Sequence, residues 1–556
     1  MTLKSAKDWL TNSKVGDALK AELHALSSEE LDDAMKQELK FGTSGLRGLM
    51  GAGNNRMNFH TVARATQGLS EYLLSAGRAP KVCIAYDTRR HSREFAECAA
   101  RVLRDNEIDV CLFDSPRPTP LLSYAIRQLK AGAGIVITAS HNPREYNGYK
   151  VYSHYGGQIT DEEAKAITTK IEAWDLFDFP RDLDTSQIQL GRDAQFISDE
   201  LLEDYYRQVL SLSLNPGLLR QEAQNLHILY TPLYGTGLEI VSAVLKRAGF
   251  SLGIVPQQKG PGGDFTTTPY PNPEIEAVYD LARKTAGPEV ELILATDPDC
   301  DRFGVMARNR AGEFQLLTGN QQAVLICHYL LSQQQKIAGK LYGYVYSSNV
   351  STGLIRRLAE RYGVGFEETL TGFKYIAEKM EARSNRAQEQ LIFAMEESNG
   401  CLAGNFLRDK DGAVGCLLIA EAALYYRSRG MTLWQGLEGI YQQWGYYLAE
   451  TLSLPMPGKE GGKRQQEIIG DLRRNWPERL KTLKVAECRD YSLGLQGLPK
   501  ANLLKFVCAD GSWLAFRPSG TEPKLKVYLE ACGNTQPEAE NRLLAMKTVI
   551  AEIVRE

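Results

Sequence analysis

No run of about 18 uninterrupted apolar residues occurs anywhere in the 556-residue chain, and residues 1–20 form a polar amphipathic segment without the apolar centre of a secretory signal. These absences argue against a membrane-spanning helix and an export leader, so a cytoplasmic protein is expected. The ten cysteines are scattered from Cys83 to Cys532 with no Cys-x-x-Cys pair and no histidine pairs to match, which argues against a zinc site and a disulfide framework. Reduced, mostly buried thiols are expected instead. Charge of one sign is also lacking: 65 basic residues face 68 acidic ones, for a net charge of -3. Without long charged blocks, neither nucleic acid nor an anionic membrane is expected as a partner. There is no Gly-x-Gly-x-x-Gly, no Gly-x4-Gly-Lys-Ser/Thr and no His-Glu-x-x-His, so a dinucleotide, Walker-type nucleotide or zinc-protease reading has no support. No low-complexity segment is present.

What is there is enough for several cores. Apolar residues make up 43% of the chain, and at about 150 residues per domain the length predicts three to four domains. Residues 81–87, 108–114 and 135–137 read as buried strands, and 93–104 and 119–129 as helices between them. This alternation predicts a mostly parallel sheet with functional loops at the carboxyl ends of its strands. The pattern begins again at 227–233, with a helix over 238–248 and a strand at 291–295, and a third time at 341–350. Residues 452–463, with Pro455, Pro457 and three glycines, read as a linker or hinge. The last hundred residues read as a small α+β domain: strands at 503–508, 512–516 and 525–530, a hairpin turn at Asp510-Gly511, and a final helix from Pro537.

Five short segments carry chemistry. In Thr138-Ala-Ser-His-Asn-Pro143, Ser140 stands where a strand gives way to a turn, a place suited to covalent chemistry but equally to a turn or helix cap. Thr296-Asp297-Pro298-Asp299-Cys300-Asp301-Arg302 sets three carboxylates at alternate positions after an apolar strand, where they repel one another unless a hard divalent cation neutralises them. A calcium loop fits neither register, because one starting at Asp297 puts Arg302 at the obligatory Gly and one starting at Asp299 closes on Arg310. Three protein ligands leave magnesium wanting a further oxygen, ideally from a phosphate. Arg517-Pro-Ser-Gly-Thr521-Glu-Pro-Lys524 offers a guanidinium, two hydroxyls, flexible backbone and an ammonium, the inventory for a dianionic phosphate, or else a plain Pro/Gly hairpin. Gly42-Thr-Ser-Gly-Leu-Arg47-Gly48 has a similar makeup. Glu396-Glu397-Ser398-Asn399-Gly400 ends another apolar run with carboxylates and a hydroxyl suited to vicinal sugar hydroxyls, and Glu367 to Lys374 adds a further polar loop; each alone is equally an ordinary exposed loop.

In this order, GTSGLRG, TASHNP with NGYK, DPDCDR, TLTGFK with EESNG, and RPSGTEPK resemble the α-D-phosphohexomutase superfamily over nearly the whole chain, closest to its long-chain phosphoglucomutase/phosphomannomutase branch. The resemblance implies an α/β fold of three related mixed α/β domains plus a C-terminal α+β domain around a central cleft. The implied domains are 1–205 with the phosphoserine loop, 206–318 with the metal loop, 319–450 with the sugar loop and 451–556 with the phosphate loop. Residue by residue it implies Ser140 as the phosphoserine, and one Mg2+ per chain held by Asp297, Asp299, Asp301 and a phosphoryl oxygen on Ser140. It implies sugar contacts at Glu396 and Ser398 and a phosphate loop at Arg517, Ser519, Gly520, Thr521 and Lys524. Arg47, Lys150 and Arg302 match basic residues of the reaction centre, and Thr43, Ser44, Thr371, Gly372 and Lys374 join the substrate-binding set. Many bacterial relatives have a His soon after the sugar motif, where this chain has Asn399-Gly-Cys401; Lys410 in Arg408-Asp-Lys-Asp-Gly412 is the favoured general base, with Lys150 and His141 as competitors. The implied activity is interconversion of glucose 1-phosphate and glucose 6-phosphate through glucose 1,6-bisphosphate, which also serves as activator, with mannose phosphates as further substrates. The alternatives are a phosphopentomutase acting on ribose or deoxyribose 1-phosphate and a non-catalytic phosphosugar-binding protein. Small hexose phosphates are the expected partners, and the chain is expected to be a monomer or weak dimer.

Overall fold

The computed structural model describes residues 4–42, 45–178, 194–260, 262–456, 458–495, 497–518 and 524–555. Among them the strands form four sheets, one for each expected unit. The first sheet runs in the order Gly45–Leu49, Tyr146–Ser153, Ala133–Ile137, Lys81–Tyr86, Asp109–Leu112, Gln195–Phe196. Ala133–Ile137 is buried at every position and lies parallel to Lys81–Tyr86 on one side. Such unbroken apolar runs form where helices cover both faces of a sheet. On its other side it pairs antiparallel with Tyr146–Ser153, so the chain turns back at once after the parallel strand.

The same device recurs twice. Val290–Thr296 lies parallel to His227–Thr231 and antiparallel to its return strand Phe303–Arg308. Leu391–Glu396 lies parallel to Tyr344–Ser348 and antiparallel to Gly400–Leu402. Each reversal contains one non-glycine residue with positive φ: Ser140 at 51°, Cys300 at 53° and Asn399 at 60°. The left-handed region is uncommon for such residues and concentrates at functional turns. Three apolar strands thus deliver three polar turns in equivalent places, the geometric content of the repeat read from the sequence. The α/β fold class is as expected.

One apolar cluster joins the three units. The helix Gly412–Arg427, buried along nearly its whole length, lies at its centre with residues from all three, including Tyr124, Leu294 and Phe393. The fourth sheet is wholly antiparallel, in the order Tyr446–Pro455, Lys524–Gly533, Trp513–Pro518, Leu504–Cys508, Val485–Asp490. It has its own core around Phe506, Phe516, Val527 and Ile550 and meets the third unit through a smaller cluster that includes Val350, Leu370, Trp513 and Tyr528.

The expected linker at 452–463 is corrected here. Tyr446–Pro455 is a continuous strand paired to Lys524–Gly533 through ten residue pairs, and the helix Gly458–Arg479 follows it. Pro455 is tolerated because it ends an edge strand, where no ladder donor is missed. The expected boundary at 450/451 falls inside this strand, and the one at 205/206 inside the continuous helix Asp199–Leu210. Among the described residues no helix is long and apolar enough to cross a membrane.

Candidate active site

The three polar turns converge. Ser140 Oγ donates to Asp297 Oδ2 at 2.8 Å, across 157 residues of sequence. Asp297, Asp299 and Asp301 are all buried, and their ligand oxygens lie within 4.8 Å of one another. The turn is built by its own bonds: Cys300 N donates to Asp297 O at 3.0 Å and Arg302 N to Asp297 Oδ1 at 3.1 Å. Thr236 holds its crest by donating from its amide and its hydroxyl to Pro298 O, both at 2.9 Å. Gly235 allows that approach, since a Cβ there would stand 2.4 Å from Pro298 Cα.

Burial, with the neighbouring Asp299 and Asp301 charges, pushes the Asp297 carboxyl well above the usual carboxylate range. Burial acts the same way on Asp299, but the Lys150 ammonium and the Thr119 hydroxyl outweigh it and hold that group low; Lys150 Nζ is 2.7 Å and Thr119 Oγ1 3.0 Å from Asp299 Oδ2. Asp299 Oδ1 and Asp301 Oδ1 are buried without hydrogen-bond partners. Carboxylate oxygens without partners, crowded on one point, are a hard-cation donor set, and these residues fit a divalent metal.

Lys410 reaches the triad from the third unit, with Nζ 3.2 Å from Asp301 Oδ2 and 3.7 Å from Glu396 Oε2. Its stem passes over Gly400, where a Cβ would stand 2.1 Å from Lys410 Cδ. Gly400 therefore makes room for the lysine. Burial lowers the lysine pKa, but the Asp301, Asp409 and Glu396 carboxylates outweigh it and raise the pKa above the ordinary lysine value. His141 lies 3.1 Å from Ser140 Oγ through Nδ1, and burial, reinforced by the Arg302 and Arg47 charges, holds its pKa well below the ordinary histidine value.

Glu396 ends its strand with Oε1 accepting from Gly372 N at 2.7 Å, which joins its turn to the Thr371-Gly372 turn; Ser398, two residues on, is half-buried. Arg302 pairs with Glu274 at 2.9 Å, and Arg47 donates to Asn142 Oδ1 at 3.2 Å on the rim of the Ser140 turn. Arg517 faces Lys526 across the fourth sheet, and the Tyr528 hydroxyl lies in the field of Glu397, Arg517 and Glu396. Arg517 and Glu397 therefore both lie near Tyr528, and Lys524 opens the strand to which Tyr528 belongs. Thr43, Ser44, Ser519, Gly520 and Thr521 lie outside the described residues. The Lys374 ammonium pairs with Asp161 of the first unit at 2.5 Å and so ties the first unit to the third.

Sequence reasoning missed Asp87, Arg89, Thr119, Asp409 and Lys526. Burial pulls the Lys526 pKa down while Glu397 and Glu274 face it. Asp409 accepts from Tyr152 at 2.6 Å and sits beside Lys410. A signal existed for some of them: Asp87-Thr-Arg89 follows a buried strand, and Asp409 and Lys526 flank residues already singled out.

The chain matches four domain families in succession: phosphoglucomutase/phosphomannomutase alpha/beta/alpha domain I over residues 38–178, domain II over 203–312, domain III over 318–444 and the C-terminal domain over 466–546. A phosphoglucomutase of Staphylococcus epidermidis is 35% identical over 518 residues, covering 90% of this chain and 92% of that protein. Among solved structures, the open form of the Paramecium phosphoprotein parafusin, a phosphoglucomutase, aligns over 93% of this chain and 95% of its own with a TM-score of 0.71 at 20% identity. An Aspergillus fumigatus N-acetylphosphoglucosamine mutase in complex with GlcNAc-6P and magnesium aligns over 99% of this chain and 100% of its own with a TM-score of 0.50 at 13% identity. These two structures share its fold; the relative at 35% identity and the four successive domain matches place the chain in the phosphoglucomutase/phosphomannomutase family.

Proposed function

We propose that the protein interconverts glucose 1-phosphate and glucose 6-phosphate, with Ser140 carrying a phosphoryl group between turnovers. One observation carries this reading: the Ser140 hydroxyl is hydrogen-bonded into a buried aspartate triad that shares Lys410 with the sugar-loop carboxylate Glu396. Nucleophile, charge-neutralising site and hydroxyl-binding group meet at one point on three different units.

In the forward direction, the phosphoryl group on Ser140 passes to the free 6-hydroxyl of glucose 1-phosphate. The bond from phosphorus to Ser140 Oγ breaks as the bond to the sugar oxygen forms, giving glucose 1,6-bisphosphate. The intermediate turns over in the cleft, and its 1-phosphate returns to Ser140, leaving glucose 6-phosphate and the phosphorylated enzyme. Lys410 takes the proton of the attacking 6-hydroxyl and gives it to the departing 1-oxygen of the sugar when the phosphoryl group returns to Ser140. It is poised for this role rather than ready in the free enzyme, because Asp301 helps hold its proton; that hold weakens once the triad's charge is neutralised. Glu396 and Ser398 hold the sugar hydroxyls, and Arg517 with Ser519, Gly520, Thr521 and Lys524 holds the phosphate that is not being transferred. Lys150, Arg47 and Arg302 stabilise charge on the transferring group. Asp297, Asp299 and Asp301 would hold Mg2+, a choice supported by their all-oxygen chemistry and by the magnesium in the Aspergillus complex. A bound cation supplies charge neutralisation at the transferring phosphoryl group.

The test is a coupled assay of kcat/KM for glucose 1-phosphate, mannose 1-phosphate and ribose 1-phosphate with catalytic glucose 1,6-bisphosphate, on wild type and Ser140→Ala. Glucose 1-phosphate is expected to lead ribose 1-phosphate by at least about tenfold, and Ser140→Ala to abolish turnover while keeping the fold. A preference for ribose 1-phosphate makes the protein a phosphopentomutase, and turnover by Ser140→Ala refutes the carrier role.

A further inference from the structure

We propose that Arg89 is a positioning residue for phosphoryl transfer, holding the Ser140 turn with Asp87 and Thr138; the inference rests on the carrier reading of Ser140. The turn needs holding because Ser140 sits at φ 51°, a region L-residues rarely adopt unless their surroundings impose it. The buried Arg89 guanidinium supplies much of that constraint. Its Nη2 donates to the carbonyls of Ser140 and Asn142, both at 2.5 Å, and its Nη1 to those of Pro143 at 2.7 Å and Tyr146 at 3.1 Å. Four carbonyls of one turn are gathered by one planar fork, a geometry arginine offers and lysine does not.

The other half of the frame is a carboxylate. Asp87 Oδ2 lies 3.2 Å from Arg89 Nε and accepts from Thr138 Oγ1 at 2.6 Å. Thr138 Oγ1 in turn accepts from Ser140 N at 2.8 Å. Ser140 is therefore tied to Asp87 by two routes, its amide through Thr138 and its carbonyl through Arg89. Asp87 is itself fixed by the Ser92 hydroxyl at 2.6 Å and the Arg89 amide at 2.9 Å. The second unit closes the frame with the Phe265 ring, 4.9 Å from the Arg89 guanidinium carbon. None of these groups touches the reacting atoms. Together they fix the direction of Ser140 Oγ toward Asp297, and transfer rates are sensitive to misplacement of about 1 Å.

Arg89→Lys keeps the charge but cannot gather the four carbonyls. With glucose 1-phosphate it is expected to lower kcat by roughly 10- to 100-fold with KM within about twofold, and to slow single-turnover labelling of Ser140 from radiolabelled glucose 1,6-bisphosphate by a similar factor. Circular dichroism checks that the variant is folded. Thr138→Val, which removes one of the two ties and leaves the Arg89–Asp87 pair, is expected to slow labelling in the same direction, and it decides the matter where Arg89→Lys does not fold. Labelling at the wild-type rate in the folded Arg89→Lys variant, or in Thr138→Val when that variant decides, overturns the assignment while leaving the carrier reading standing. A wild-type enzyme that takes no label on Ser140 overturns both.

Discussion

At the scale of single residues, the site crowds three buried carboxyl groups onto one point. Three buried aspartates meet two buried lysines, with Lys150 closest to Asp299 and Lys410 closest to Asp301, while two carboxylate oxygens keep no hydrogen-bond partner. Burying carboxylates in this state is costly unless a cation is bound. Asp299→Asn retains an acceptor for Thr119 but loses the negative charge. It is expected to raise the Mg2+ concentration for half-maximal activity and to cut kcat by at least about 100-fold. An unchanged magnesium titration in that variant would remove the triad from the metal site.

At the scale of elements, the helix Gly412–Arg427 shows how one segment serves core and site together. Its N-cap Asp411 accepts from the amides of Ala413 and Val414 and from the Tyr205 hydroxyl, and lies next to Lys410 in the chain. Burial lifts the Asp411 carboxyl from the ordinary 3.8 to about 6, even against those three bonds. A folded-state pKa above the unfolded one gives a contribution to stability that is complete below pH 3.8 and lost as pH rises through about 6. The charge therefore costs up to roughly 3 kcal/mol at neutral pH. Asp411→Asn keeps an acceptor for the helix amides without that cost. Its thermal stability relative to wild type is expected to rise between pH 4 and pH 7, and a difference that stays flat with pH would contradict this account.

At the scale of the whole molecule, the three α/β units share a core, while most of the C-terminal domain's apolar residues pack in a core of their own. One polar contact stands out at that junction. Glu530, fully buried in the strand Lys524–Gly533, accepts from Gly353 N of the third unit at 2.9 Å and from Trp513 Nε1 at 2.8 Å. Glu530→Ala leaves two buried donors unpaired, a loss of about 1–3 kcal/mol each. It is expected to raise KM for glucose 1-phosphate several-fold through loosened docking of the domain. Glu530→Gln keeps an acceptor and is expected to hold KM within about twofold of wild type. Equal KM values in the two variants would show that this bond does not position the domain.

The sequence by itself determined whatever depends on near neighbours in the chain. Alternation of buried runs with helices marked the three α/β units, because backbone geometry alone sets how such residues face; the spacing of Asp297, Asp299 and Asp301 suggested a hard-cation site, and the turn at Cys300 is what brings their oxygens within 4.8 Å of one another. The turn residues of the C-terminal hairpin were legible for the same reason: Gly511 takes φ 87° at the predicted place. Tertiary structure decided the rest. Pro and Gly in 452–463 suggested a break, but ten residue pairs with a strand some 70 residues later override local preference. Lys374 went to Asp161, Arg89 to the Ser140 turn and Glu530 to Gly353, each partner more than 50 residues away. Burial leaves polar groups only the partners that sheet register and domain docking bring within reach, and neither can be read from the residues on either side.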